Sequence, residues 1–83
     1  MSSPSDQELD KVLNAPIIKR SVTIAGHATS VSIEKPFWDE FKRLAKGQNQ
    51  SINQLVTEID EARSVNLSSA IRLYVLASLK QSF

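Results

Sequence analysis

Few side chains in this chain have the chemistry for catalysis. His27 is the one histidine and there is no cysteine, so neither a multi-histidine metal cluster nor a thiolate site can be assembled. A serine nucleophile needs an adjacent base and an oxyanion site. His27 instead sits in the short stretch Ala25-Gly26-His27-Ala28 with no recognisable orienting partner. No Gly-rich phosphate loop, zinc spacing or carboxylate dyad is present. The sequence therefore points away from an enzyme, and no cofactor or metal is expected. What remains chemically informative is a set of hydroxyls and cations. Ser30 and Ser32 alternate with apolar residues, and Ser51 precedes an apolar-periodic run. The formal net charge of +1 conceals an asymmetry. Residues 19–56 carry Lys19, Arg20, Lys35, Lys42, Arg43 and Lys46 against Glu34, Asp39 and Glu40, a net of +3. Residues 1–18 carry a net of −2, and residues 57–83 a net of 0. The basic excess is a modest electrostatic footprint that a dimer would double.

The elements that position these groups are legible between residues 29 and 56. Thr29-Ser30-Val31-Ser32-Ile33 alternates as a strand, with Val31 and Ile33 on one side. A strand cannot satisfy its backbone alone. Lys19–Ile24 also alternates, with Val22 and Ile24 opposite Ser21 and Thr23, and Gly26 in between is free to adopt positive φ. Two arrangements compete. The tracts form a hairpin, or the strand at Ala28–Ile33 is the central ribbon, paired with its copy in a second chain, and 19–24 is an accessory strand or arm. The second is favoured because that strand runs directly into a helix.

Pro36 suits a first helical position. Phe37, Phe41, Leu44 and Ala45 make one apolar face, with Trp38 flanking it and Gly47 as the stop. Lys35, Asp39, Lys42 and Lys46 form the solvated stripe opposite. Ser51 caps the next helix, and Gln54 completes a capping box. Ile52, Leu55, Val56 and Ile59 give that helix its buried face. Asn66 caps a further helix to about Lys80, faced by Leu67, Ala70, Ile71, Tyr74, Val75 and Leu79. Leu73 and Leu76 widen that face, so this helix should be largely covered, a second argument for an oligomer. Residues 1–18 read as a flexible arm, with one helical turn allowed around Gln7–Leu13, and residues 19–83 as the folded domain.

This order of elements resembles the ribbon-helix-helix (MetJ/Arc-type) family of DNA-binding proteins. The strand at 29–33, Glu34-Lys35-Pro36-Phe37, the face Phe37…Phe41…Leu44-Ala45, the polar turn into Ser51 and Leu55-Val56…Ile59 carry the likeness. A longer bacterial subgroup looks similar, with a segment like Lys19-Arg20-Ser21-Val22 before the strand and an Asn-Leu-Ser-Ser-Ala opening before the last helix. The resemblance implies an α+β, mainly α fold: a ribbon-helix-helix unit with a third helix, in an intertwined homodimer with an intermolecular antiparallel β-ribbon. Val31, Ile33, Phe37, Trp38, Phe41, Leu55, Val56 and Ile59 would form the dimer core. Ala28, Ser30 and Ser32 would face the bases, a thin reading set because hydroxyls fit several base edges. Lys19, Arg20 and His27 would add flanking contacts. The start of the Ser51 helix, with the N–H groups of Ser51, Ile52 and Asn53 and with Lys46 just upstream, would hold phosphate.

The function implied is a DNA-binding transcriptional regulator, a repressor, acting on double-stranded DNA as a homodimer or higher assembly. Two rivals stand beside it. One is an antitoxin of the same fold. The other is a dimeric interaction domain without DNA binding, motivated by the thin reading set. The acidic N-terminal arm offers a place for a protein partner. No apolar run approaches the roughly 20 residues of a membrane span, and residues 1–30 lack the apolar core of a signal peptide. A cytoplasmic protein is the default expectation.

Overall fold

The computed structural model describes residues 3–81. Met1 and Ser2 of the arm, and Ser82 and Phe83 at the other end of the domain, lie outside the described residues. The elements run α1 (Asp6–Leu13), β1 (Ile17–Ile24), β2 (His27–Glu34), α2 (Lys35–Gly47), α3 (Ile52–Ala62) and α4 (Leu67–Gln81). This is an α+β, mainly α arrangement of one two-stranded sheet and the helices that cover it.

β1 and β2 pair antiparallel within the chain, from Ile24↔His27 at the turn to Ile17↔Glu34 at the open end. The connection is the dipeptide Ala25-Gly26, with φ of +50° and +80°. Both residues lie in the left-handed region, the signature of the tight hairpin turn whose twist matches that of its strands. The accessory tract is thus a full strand, and it supplies the partner that β2 needs. Of the two arrangements the sequence allows, the chain adopts the hairpin, so β2 has its partner strand without a second copy. Beyond the open end, the Lys35 N–H donates to the Pro16 carbonyl at 3.0 Å.

The inner face of the hairpin meets three helices. Val22, Val31 and Ile33 pack with Trp38, Phe41 and Ala45 of α2, with Leu55, Val56 and Ile59 of α3, and with Ala70, Ile71 and Val75 of α4. α3 lies along β1, while α2 and α4 lie along β2. Phe41 is fully buried, 5.8 Å from Trp38 and edge-on to Tyr74 at 6.2 Å between ring centroids. Trp38 is therefore central to the apolar face of α2 rather than flanking it, and Phe37 is the half-buried residue. The 38, 41, 45 spacing aligns better with the sheet than 37 and 44 do. Of the eight residues expected to form a dimer core, all but Phe37 are buried within one chain.

The helix boundaries follow local chemistry. The Ser51 hydroxyl accepts from the Gln54 N–H at 3.1 Å, and the Gln54 side chain accepts from the Ser51 N–H at 2.8 Å, a complete capping box. Asn66 Oδ1 accepts from the Ser69 N–H at 2.9 Å at the head of α4. Where the sequence allows a single helical turn, α1 is a two-turn helix capped by Ser5. It buries no residue, and Leu9, Val12 and Leu13 stay exposed. α4 departs from expectation as well. Leu73 and Leu76 are 55% and 51% exposed, because a single sheet face and two helices cover only one side of α4.

Candidate nucleic-acid interface

With Val22, Val31 and Ile33 turned into the core, the period-2 geometry of a strand sends their neighbours to the opposite face. On β2 these are Ala28, Ser30 and Ser32, and all three are exposed. On β1 they are Thr23, Ser21 and Lys19, also exposed. The register sets them directly across from one another: Thr23↔Ala28, Ser21↔Ser30 and Lys19↔Ser32. The solvent face of the hairpin is thus a ladder of short polar side chains with one cation at its end. Ser21 and Thr23 are the residues that sequence reasoning misses. Their signal was the alternation at 19–24, which only gains meaning once the two-residue turn folds that tract beside β2.

The three flanking candidates separate. Lys19 stands on the solvent face. Arg20 falls on the other, with its guanidinium carbon 6.0 Å from the centroid of the Trp38 ring. This cation–π contact helps to cover the edge of the core. His27 closes the turn opposite Ile24 and is exposed at the tip.

Ion pairs decide how much of the basic excess is free. Lys35 and Lys42 both pair with Asp39, at 2.7 and 3.8 Å, and Arg43 pairs with Glu40. Lys35 holds the Asp39 carboxyl below its ordinary range, and Arg43 does the same for Glu40. Lys19, Arg20 and Lys46 form no ion pair within 4 Å among the described residues, although the charge of Arg20 adds to the pull on the Asp39 carboxyl. Of the six cations counted between 19 and 56, half are therefore neutralised along α2. Lys46 sits exposed in the last turn of that helix.

The head of α3 stands against the hairpin. Asn53 Oδ1 accepts from the Thr23 N–H at 3.0 Å. Ser51, expected to offer a free N–H, spends it on Gln54 in the capping box, so the helix end offers the N–H groups of Ile52 and Asn53. These have no acceptor among the described residues, and the helix dipole adds positive potential there. A cleft of about 420 Å³ lies between the turn and this helix, lined in part by Thr23, Gly26, Gln50 and Asn53. On the other side of the hairpin, the Ser32 N–H donates to Ser68 Oγ of α4 at 3.3 Å. Arg72 of α4 grips Glu34 at the end of β2 through two bonds of 2.8 and 3.3 Å. The ribbon is thereby fixed to α3 along one edge and to α4 along the other. Among the described residues, no group of three or more His, Cys, Asp or Glu side chains converges as a metal site, and no helix is long and apolar enough to cross a membrane.

Among known proteins, a family model described as the ribbon-helix-helix domain matches residues 17–79. No curated protein and no solved structure matches the chain.

Proposed function

From the premise that the chain belongs to the ribbon-helix-helix domain family, we propose that it is a DNA-binding transcriptional regulator that inserts its hairpin into the major groove. Proteins of this family are generally DNA-binding regulators or antitoxins. The observation that carries the proposal is the division of the hairpin into a core face and a face of short polar side chains. Strands in a pair lie about 4.8 Å apart, and the major groove is about 12 Å wide and admits such a ribbon. Small side chains let the backbone approach the base edges closely. Lys19 and Lys46, free of carboxylates, and the N–H groups of Ile52 and Asn53 would fix the ribbon against phosphates.

The regulator acts as a repressor and as a homodimer in the bacterial cytoplasm. Support for self-association comes from Leu73 and Leu76, which one chain leaves uncovered. Two protomers would present two hairpins and two α3 heads to a two-fold symmetric site. The exposed stripe Leu9, Val12 and Leu13 on acidic α1 favours a second reading, in which the N-terminal segment docks a protein partner, although the toxin-binding tail of an antitoxin of this fold most commonly lies at the other end of the chain.

The test is binding of the purified chain to random-sequence and genomic DNA across a salt series, with oligomer mass measured alongside. Salt-steep binding by a dimer, enriched for a palindromic site, is expected. A stable protein that binds no DNA at about 50 mM salt would overturn the proposal in favour of the protein-interaction reading.

A further inference from the structure

We propose that α1 and the groove beside it dock a basic amphipathic helix of a partner protein. The inference rests on the second reading above, in which the N-terminal segment takes a protein partner, and it gives that partner its chemistry. A helix turns by about 100° per residue, so Leu9, Val12 and Leu13 share one face of α1, and all three are exposed. The same geometry sets Asp6 and Asp10 on the border beside Leu13, and Glu8 on the border beside Val12. Lys11, the one cation of the helix, falls on the back. The apolar stripe is therefore framed by carboxylates on both sides. None of the three carboxylates is in an ion pair among the described residues; Asp10 accepts one bond, from the Asn14 amide at 3.1 Å.

The stripe continues into a groove. Val12 forms one wall of a cleft of about 290 Å³, and Pro36, Phe37 and Glu40 of α2 with Val75 and Leu79 of α4 form the rest. A cavity of about 150 Å³ takes one benzene ring, so this groove has room for about two anchoring side chains of a docked helix. Its one ionisable lining residue is Glu40, whose carboxylate Arg43 already holds. Charge selects the occupant. A second copy of α1 would set three carboxylates against these three, and like charges oppose that pairing. A helix whose apolar anchors are flanked by Lys or Arg meets an unpaired carboxylate on either border of the stripe. The walls belong to the helices that cover the inner face of the hairpin. A helix docked between them and α1 leaves Ser30 and Ser32 open on the opposite face.

The experiment titrates the full chain into three labelled synthetic helices with the same leucine stripe and with Lys, Gln or Glu at every other position, followed by fluorescence anisotropy with oligomer mass measured alongside. The variants are Leu9→Ser with Val12→Ser, Glu8→Gln with Asp10→Gln, and Leu73→Ser, a control exposed outside the groove. α1 buries no residue, so its variants should keep the wild-type thermal melt. The Leu–Lys helix should bind about 10-fold more tightly than the Leu–Gln helix at about 50 mM salt, with the advantage lost towards about 1 M, and the Leu–Glu helix should not bind. Leu9→Ser with Val12→Ser should weaken Leu–Lys binding by about 10-fold or more, Glu8→Gln with Asp10→Gln by about 3- to 10-fold, and Leu73→Ser should leave it unchanged. A Leu–Gln or Leu–Glu helix bound as tightly as Leu–Lys, and lost with the stripe variant, would overturn the basic chemistry while leaving the docking segment standing. Leu–Lys binding that the stripe variant leaves unchanged, or no binding of any helix up to about 1 mM, would overturn the docking reading and this inference with it. A fall in oligomer mass caused by the stripe variant would show that a second copy fills the groove, and would overturn the inference as well.

Discussion

Replacing Ala25 by asparagine should stabilise the protein. Ala25 is held at φ +50° and is followed by Gly26 at +80°, so an alanine occupies a backbone region that costs an L-residue about 1–2 kcal/mol. Asparagine tolerates this region because its short amide bonds to the local backbone, and Asn-Gly is the preferred pair for a turn of this kind. Glycine would remove the same strain, but it widens the unfolded ensemble and gives back most of the gain. The expected benefit of Ala25→Asn is therefore about 1 kcal/mol. For a domain of this size that raises Tm by about 4–8 °C. Urea unfolding should show the midpoint rising at unchanged slope. Ala25→Val is the opposite perturbation, since a branched Cβ fits positive φ poorly, and it should lower Tm. Gly26→Ala should also cost about 1 kcal/mol, because an L-residue pays for the left-handed conformation that glycine adopts freely. No atom lies within 4 Å of the Cβ it would add, so that penalty is purely one of backbone conformation. If Ala25→Asn gives no gain while Ala25→Val is tolerated, the strands are not joined by this turn. Their pairing would then have to come from a second chain, and stability would depend on protein concentration.

Other perturbations probe separate features. Phe41→Ala empties the fully buried site between Trp38 and Tyr74 and should cost about 3–5 kcal/mol, read as a loss of most of the unfolding transition. Ser51→Ala breaks the capping box of α3 and should cost about 1 kcal/mol while leaving the far-UV signal of the other helices in place. Leu73→Lys with Leu76→Lys should convert a dimer to a monomer in mass measurements without lowering the monomer's Tm, because both side chains are exposed in one chain. Acid unfolding should report on Glu34. Its hydrogen bond to Arg72, then its own backbone, hold its carboxyl below the ordinary 4.5. A carboxyl whose folded value is depressed stabilises the protein above its unfolded value and loses that contribution as pH falls through the folded one. Glu34→Gln should therefore flatten the loss of stability below about pH 4.5 and leave its acid limb shallower than that of the wild type.

The helices were legible in the sequence because each carries a local signal. The capping box at Ser51 and Gln54 and the Asn66 cap fix ends through chemistry within four residues, whereas α2 runs through the expected Gly47 stop and ends at Gln48, with the left-handed residue supplied by Asn49 at φ +56°. Strand pairing depends on something less visible. Alternation identifies both tracts, but it carries no statement of who pairs with whom, and Ala-Gly is a weaker turn signal than Asn-Gly. The face assignment of Ala28, Ser30 and Ser32 followed from period-2 geometry alone, and the partners Ser21 and Thr23 required the register. Arg20 and Lys19 are adjacent in sequence and similar in charge, so only the pleat separates the one over Trp38 from the one facing solvent. Ion pairing on α2 was equally hidden in a net charge, since Asp39 and Glu40 cancel cations three and four residues away.

The two backbone N–H groups of the hairpin that helix side chains hold also bear on solubility. A sheet of two strands has two open edges, and an open edge is a template on which further strands can add to build fibres. In a hairpin closed by a two-residue turn, the outward-pointing backbone groups belong to Thr23, Ser21 and Lys19 on one side and to Ala28, Ser30 and Ser32 on the other. Asn53 occupies the Thr23 N–H and Ser68 occupies the Ser32 N–H, one rung on each side and at opposite ends of the ribbon. An added strand would forfeit that rung and collide with the helix that supplies the bond. The protein thus keeps a flat, accessible ribbon face while blunting the polymerisation that such a face invites, and Asn53→Ala combined with Ser68→Ala would expose the chain to it.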